Sequence, residues 1–292
     1  MAFRLREVID PEQLRAEVDA FAARHGAEEH RRHRVMASAA GHGRGVRGWR
    51  IGDTAGQARG LLLHRGSAPV LLALAEAADA AALARLLAAD DAEPVLPRTA
   101  DGAVELLGAA TSVEAVARAL AEHTGGRARR AMGMHLLICR QLRPPPSVSA
   151  GAPRRAGPQD GPVVAELVAG FIREALPHRA ADADELGRRA VQDLEGDHGL
   201  TLWEDGGRAV AITRLGMPAV QGRSISLVYT PPGLRGRGYA SSLVASLTAE
   251  ALAGGAEVVD LATDVDHPVS TRLYEALGYE RIGAHASWVV DQ

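Results

Sequence analysis

The residues best placed to do chemistry in this chain of 292 residues lie in one run, Val228-Tyr-Thr-Pro-Pro-Gly-Leu-Arg-Gly-Arg-Gly-Tyr-Ala240. Gly236 and Gly238 remove side chains where an apolar segment gives way to helical spacing, so successive backbone N–H groups can converge on one anion. The positive end of the helix dipole would stand behind them. Arg235 and Arg237 add guanidinium groups able to pair with phosphate oxygens. A plain strand-to-helix turn would use the same glycines, so the spacing alone does not decide. A dinucleotide-binding turn is the other alternative. It wants a third glycine where Ser241 stands and an acid ending the next strand, whereas Asp260 falls inside Val258–Ala262.

Composition excludes several other chemistries. All 33 basic residues are arginine, and the chain has neither lysine nor asparagine. A Walker-type phosphate loop, Schiff-base catalysis and an N-glycosylation sequon are therefore impossible. The lone Cys139 forms no internal disulfide and supplies no metal cluster, so a buried inert thiol is expected, with no metal site. Residues 1–150 hold 20 Arg against 17 acids and residues 151–292 hold 13 against 19, giving +3 and −6. Neither half suggests a nucleic-acid partner. The Arg- and His-rich stretch from Arg24 to Arg50 also contains Glu28, Glu29 and a single aromatic, Trp49, and reads as a solvated face. A charged start, Met1 to Asp10, and the lack of any apolar window near the ~20 residues of a membrane span argue for a cytoplasmic protein.

The elements that must position the glycine turn follow from punctuation and periodicity. Arg143-Pro-Pro-Pro-Ser-Val-Ser-Ala-Gly-Ala-Pro153 reads as a linker, dividing domains 1–142 and 154–292. Upstream, a helix over Pro11–Arg24 precedes short strands at Trp49–Ile51, Gly60–Leu63 and Pro69–Ala75. Helices from Asp79 and over Val113–His123 follow, and then a strand at Met132–Gln141. Downstream, Asp160 caps a helix through Val164, Val168 and Ile172, and a second helix spans Asp184–Glu195. A hairpin joins Leu200–Trp203 to Ala209–Thr213, and a strand covers Ser224–Tyr229. A helix runs from Tyr239 to the Gly254-Gly255 stop, followed by a strand at Val258–Ala262, a helix at Pro268–Leu277 and a strand at Ala286–Val290. Antiparallel hairpins leading into one parallel strand-helix-strand unit form an uncommon α/β (α+β) order.

Within that order, Arg235-Gly-Arg-Gly-Tyr-Ala240 resembles the Arg/Gln-x-x-Gly-x-Gly/Ala signature of the GNAT superfamily of acetyl-CoA-dependent N-acetyltransferases. The later segment from Thr263 to Tyr279, with its Leu-Tyr-Glu-Ala-Leu-Gly-Tyr ending, is similar to that family's closing motif. The resemblance covers Ala152–Gln292. It implies a mixed, mostly antiparallel sheet with a central parallel βαβ unit. The whole chain further resembles a bacterial tandem type in which a degenerate N-terminal domain of similar fold precedes the catalytic one. In this chain no second Arg-x-x-Gly-x-Ala follows a strand in the first half, and Arg44-Gly-Val-Arg-Gly stands too early to be one.

By resemblance, the backbone around Val228, Tyr229 and Thr230 holds the pantetheine arm of acetyl-CoA where two strands splay. Arg235, Gly236, Arg237, Gly238, Tyr239, Ala240 and Ser241 wrap the pyrophosphate, with His267 and Ser270 beside the cofactor. Tyr274 protonates the departing thiolate, or else simply packs the last helix with Leu273. The acetyl group then passes to an amine acceptor in a ternary complex, with strand N–H groups stabilising the oxyanion and the N-terminal domain narrowing the acceptor cleft. Two positions depart from the family pattern: His267 stands where relatives have Asn and could equally cap a helix, and Gly233 stands where relatives often have Glu. The base is therefore unassigned. Glu204, Asp264 and Asp266 are candidates by rough location, and the contrasting reading is an acetyl-CoA-binding sensor without catalysis.

Overall fold

The computed structural model describes residues 3–291 apart from 27–29, 41–44, 67, 89–95, 100–101, 193–198, 217 and 219–221. In the first half, strands β1 (Phe3–Glu7), β2 (Val46–Asp53), β3 (Ala58–Arg65), β4 (Val70–Leu74), β5 (Val104–Ala109) and β6 (Arg127–Cys139) alternate with helices. These are α1 (Pro11–His25), α2 (Arg31–Ala40), α3 (Ala80–Leu87) and α4 (Ala110–Thr124). On β4, Val70, Leu72 and Leu74 enter one apolar cluster while Leu71 and Ala73 enter another. This is the two-residue period of a strand covered on both faces.

The second half repeats the element order. β7 (Ala152–Arg155), α5 (Gly161–Ala175), α6 (Ala183–Gln192), β8 (Leu200–Asp205), β9 (Arg208–Leu215) and β10 (Gly222–Tyr229) are followed by α7 (Tyr239–Ala253), β11 (Val258–Asp264), α8 (Pro268–Ala276) and β12 (Glu280–Asp291). Among the described residues, strand, two helices, three strands, helix, strand, helix and strand thus occur twice.

Two compact units form, Met1–His135 with Ile282–Gln292, and Leu136–Arg281. In the first, β1-β2-β3-β4-β5-β12 lie in that order, antiparallel except for β4 and β5. In the second the order is β7-β8-β9-β10-β11-β6, with β7 to β10 antiparallel and β10 parallel to β11 around the α7 crossover. The closing strand of each sheet therefore comes from the other half of the sequence. His285–Val290 pairs with Ala109–Val104 in the first unit, and Leu137 and Cys139 of β6 are buried in the second. The compact units divide the chain differently from a cut at the prolines.

The proline-rich run itself is built into the second unit. Arg143 N–H donates to the Leu277 carbonyl at 2.9 Å, and Ala152 and Pro153 already belong to β7, opposite Glu204 and Trp203. One face of this unit packs Val164, Leu167, Val168 and Ile172 of α5 against Leu200, Leu202 and Ile212. The other packs Leu243, Val244 and Leu247 of α7 with Val259, Leu261, Tyr274 and Leu277.

Several sequence expectations change in detail. The Asp160 carboxylate does not cap α5; it takes two bonds from Arg154, at 2.7 and 2.8 Å, and one from the Gly157 N–H. The sequence pattern does not announce β1 and α2, because arginines mask the alternation of the first and the apolar face of the second. Within the Arg24–Arg50 run, His30, Arg31 and His33 are buried rather than solvated, while Glu28, Glu29 and Arg44 lie outside the described residues. The second helix of the C-terminal half is described to Gln192, and Leu194 and Glu195 also lie outside. Cys139 is buried, which pushes its thiol pKa up, as expected of an inert sulfur. No helix among the described residues is long and apolar enough to cross a membrane.

Candidate active site

β10 and β11 pair only from Gly222–Ser224 to Val258–Asp260, although the strands continue to Tyr229 and Asp264. The last rung is fastened by the Ser224 hydroxyl, which donates to Asp260 Oδ1 at 2.7 Å. Beyond it the two strands separate. On its other side β10 pairs with β9 through a bulge, where Leu227 has φ 57° and the partners move from Ser226–Arg214 to Tyr229–Ile212. The edge of Ile225–Tyr229 that faces away from β9 therefore carries backbone groups with no paired strand among the described residues. At its end the Thr230 hydroxyl is buried and has no hydrogen-bond partner among the described residues.

From this edge the chain passes through a 3₁₀ turn, Pro232–Leu234, into two left-handed glycines, Gly236 at φ 76° and Gly238 at φ 78°. Both conformations disfavour a side chain. The first helical bond of α7 runs from the Ser242 N–H to the Gly238 carbonyl, so the N–H groups of Tyr239, Ala240 and Ser241 have no acceptor within the helix. A Cβ at Gly236 would meet nothing within 4 Å, leaving that side open to approach. The Tyr239 side chain turns inward and donates to Asp205 at 2.5 Å, so this residue offers the turn its backbone alone.

Across the split lies α8. His267 is its N-cap residue, exposed and making no side-chain cap bond, so the capping alternative fails. Ser270 is half-buried in the first turn, its N–H bonded to the His267 carbonyl. Tyr274 is buried, meets the ring of Tyr279 edge-on at 5.9 Å, and has its phenol pKa pushed up by burial.

The Acetyltransferase (GNAT) family model matches residues 167–279, which include the split, the glycine turn and α8. The chain carries a GNAT acetyltransferase domain. No curated protein matches the sequence. Solved structures similar to it include a GCN5-related N-acetyltransferase from Sphaerobacter thermophilus, 16% identical, covering 98% of this chain and 95% of that one with a TM-score of 0.63. A Drosophila protein is 13% identical over 98% and 97% of the two chains, with a TM-score of 0.69. A tandem GNAT protein from the clavulanic acid biosynthesis pathway is 13% identical over 98% of each chain, with a TM-score of 0.55. At these identities the likeness is one of fold, and it extends over both halves.

In the GNAT domain two of the acids considered as bases have structural partners. Glu204 accepts from Arg154 Nε at 2.5 Å, and Asp264 accepts the Asp266 N–H at 2.9 Å in a turn. Asp266 is exposed at the same turn. A different acid, Glu174 near the end of α5, meets the site. Its carboxylate accepts the Tyr229 hydroxyl at 2.7 Å and a guanidinium N–H of Arg235, whose Nε donates to the Thr230 carbonyl at 2.9 Å. Burial opposes ionisation of Glu174, but the bonds from Arg235 and Tyr229 outweigh it and hold the carboxyl below its usual range. His267 adds a smaller attraction. Burial and then the Glu174 bond push Tyr229 up to about 12. In the sequence Glu174 is one more acid on the polar side of a helix, which is why spacing did not single it out.

The corresponding turn of the first unit, from β4 into α3, is built otherwise. It contains no glycine and presents Glu76 and Asp79, with Arg59 bonded to Asp79 at 2.5 Å and to Glu76 at 3.3 Å. Two carboxylates at a helix start oppose a phosphate.

Proposed function

We propose that the GNAT domain moves the acetyl group of acetyl-CoA directly to an amine, with both substrates bound together, and that the chain holds one acetyl-CoA. The observation that carries this reading is the early end of β10–β11 pairing beside the Gly236–Gly238 turn. The free edge of Ile225–Tyr229 and the buried, unpartnered Thr230 hydroxyl suit an extended arm rich in amides. The N–H groups of residues 236–241 and the exposed Arg237 suit its diphosphate. Acetyl-CoA supplies the activated acyl group as a thioester, and the remaining roles fall on the chain.

Positioning is the chief contribution, since holding thioester and amine together replaces a bimolecular encounter. Backbone N–H groups of the split strand receive the developing negative charge. Tyr274 keeps its proton through the neutral range, because burial raises its pKa. A thiol ionises near pH ~8.5 and a phenol near ~10, so Tyr274 acts as a hydrogen-bond donor to the departing thiolate rather than by complete transfer.

Turnover of acetyl-CoA against a panel of amines, following release of free thiol, tests this reading. Thiol release that depends on an amine supports it. Tight acetyl-CoA binding with no release for any amine would favour a binding-only sensor, and failure to bind CoA would remove both readings.

A further inference from the structure

The Arg235 guanidinium is engaged on three sides. Its Nε closes on the Thr230 carbonyl, tying the two ends of the Pro231–Leu234 loop together. A terminal N–H donates to Glu174 of α5, and the group lies over the Tyr229 ring, 5.8 Å from its centre. Tyr229 bonds the second oxygen of the same carboxylate. One acid thus holds the last residue of β10 and the first residue of the glycine turn.

This meeting is built into the neighbouring helix. A Cβ at Gly170 of α5 would fall 2.7 Å from the Tyr229 hydroxyl and 2.8 Å from its ring, so a side chain there would displace the phenol from its present place against Glu174. Arg237, two residues on, is exposed as Arg235 is, but its guanidinium has no hydrogen bond or ion pair among the described residues.

We infer that Glu174 is a positioning residue for the acetyl-CoA site: by holding Arg235 and Tyr229 it fixes the loop that aims the N–H groups of residues 236–241. The Arg235 side chain then braces the loop, and the diphosphate is left to backbone N–H groups and Arg237. This inference rests on the acetyl-CoA reading above. It gives Glu174 a definite sign of effect. If Arg235 were itself the phosphate ligand, Glu174 would compete with the ligand for it, and removing Glu174 would strengthen binding. If Glu174 positions the loop, removing it weakens binding.

The test is calorimetry with CoA on wild type, Glu174→Ala, Arg235→Ala and the double variant, together with acetyl-CoA kinetics. Glu174→Ala is expected to weaken CoA binding about tenfold and to raise the acetyl-CoA KM with kcat changed less than about twofold, because ground-state and transition-state binding suffer alike. The double variant should be no worse than Arg235→Ala, since the two residues act as a unit. Glu174→Gln, which keeps an acceptor oxygen, should fall between wild type and Glu174→Ala and serves where the alanine variant does not fold. Unchanged or tighter CoA binding in a folded Glu174 variant overturns the inference while leaving the acetyl-CoA site standing. A wild-type chain that binds no CoA overturns both.

Discussion

Ser149 donates its hydroxyl to the Arg237 carbonyl at 2.7 Å, while its own N–H donates to the Ser242 hydroxyl at 2.9 Å. A residue from the proline-rich run thus braces the glycine turn from behind. A Cβ at Gly238 would lie 2.8 Å from the Ser149 Oγ, at a backbone φ of 78° that already disfavours one. Gly238→Ala is therefore expected to destabilise the domain by about 1–2 kcal/mol and to weaken CoA binding. Adding Ser149→Gly should recover the steric part but not the backbone part. Urea melts and calorimetry on the two singles and the double measure both; a double variant no better than Gly238→Ala would show that Ser149 does not confine the turn.

Tyr274 gives a kinetic prediction. Phenylalanine keeps the ring contact with Tyr279 and the packing of α8, and removes only the hydroxyl. Turnover should fall at least about tenfold with acetyl-CoA affinity nearly intact, the signature of an interaction made mainly in the transition state. Since burial raises the phenol pKa, wild-type activity should show no loss from Tyr274 ionisation as pH rises from 7 to 9. Full turnover in Tyr274→Phe would leave this residue as packing.

The C-terminal half was legible because its signals are local. The Pro268 helix start, the Gly254-Gly255 stop and the Gly236 and Gly238 turn each sit within a few residues of the element they shape. What stayed hidden depends on distant partners. Nothing near Glu174 announces that Tyr229 and Arg235, 55 and 61 residues later, will share its carboxylate. Nor does the alternation of Ala286–Val290 reveal that this strand pairs with β5 of the other half rather than within its own. β1 and α2 were missed for a related reason. Arg4, Arg6 and Glu7 make a strand look like a charged end, and His33 among the arginines of Arg31–Ala40 looks solvated until the sheet covers it.

Arg154 binds the buried Asp160 through two nitrogens and Glu204 through a third, tying β7 to the start of α5 and to β8. The Arg154 bond is the largest of the effects that hold the Asp160 carboxyl below its usual range, against the opposing cost of burial. Arg154→Met keeps the aliphatic stem but leaves a buried carboxylate with the Gly157 N–H alone. A loss of about 2–3 kcal/mol is expected at pH 7, and Asp160→Asn in that background should restore part of it by removing the unpaired charge. Denaturant melts of the three variants decide; a single-variant loss below about 0.5 kcal/mol would mean solvent already satisfies Asp160.

The buried histidines of the first unit make its stability depend on pH. His30 lies 5.2 Å from both Phe21 and His33, and His33 is almost wholly enclosed. Burial, and then the neighbouring His25, lowers His30 from 6.5 to about 4; burial, with His30, His285 and Arg32 nearby, lowers His33 well below 6.5. The unfolded chain binds these protons below about pH 6.5, whereas the folded chain takes up the His30 proton only near pH 4. Between those values the unfolded state holds more protons, so stability is full at neutral pH and falls as the solution is acidified, by up to about 1.4 kcal/mol per pH unit for each such group. Hydrogen exchange over residues 11–40 at pH 7, 5.5 and 4.5, corrected for the intrinsic rate, should show protection lost with acid. His30→Phe, which keeps the ring and cannot take a proton, should flatten that dependence; the same slope in the variant would place the acid sensitivity elsewhere.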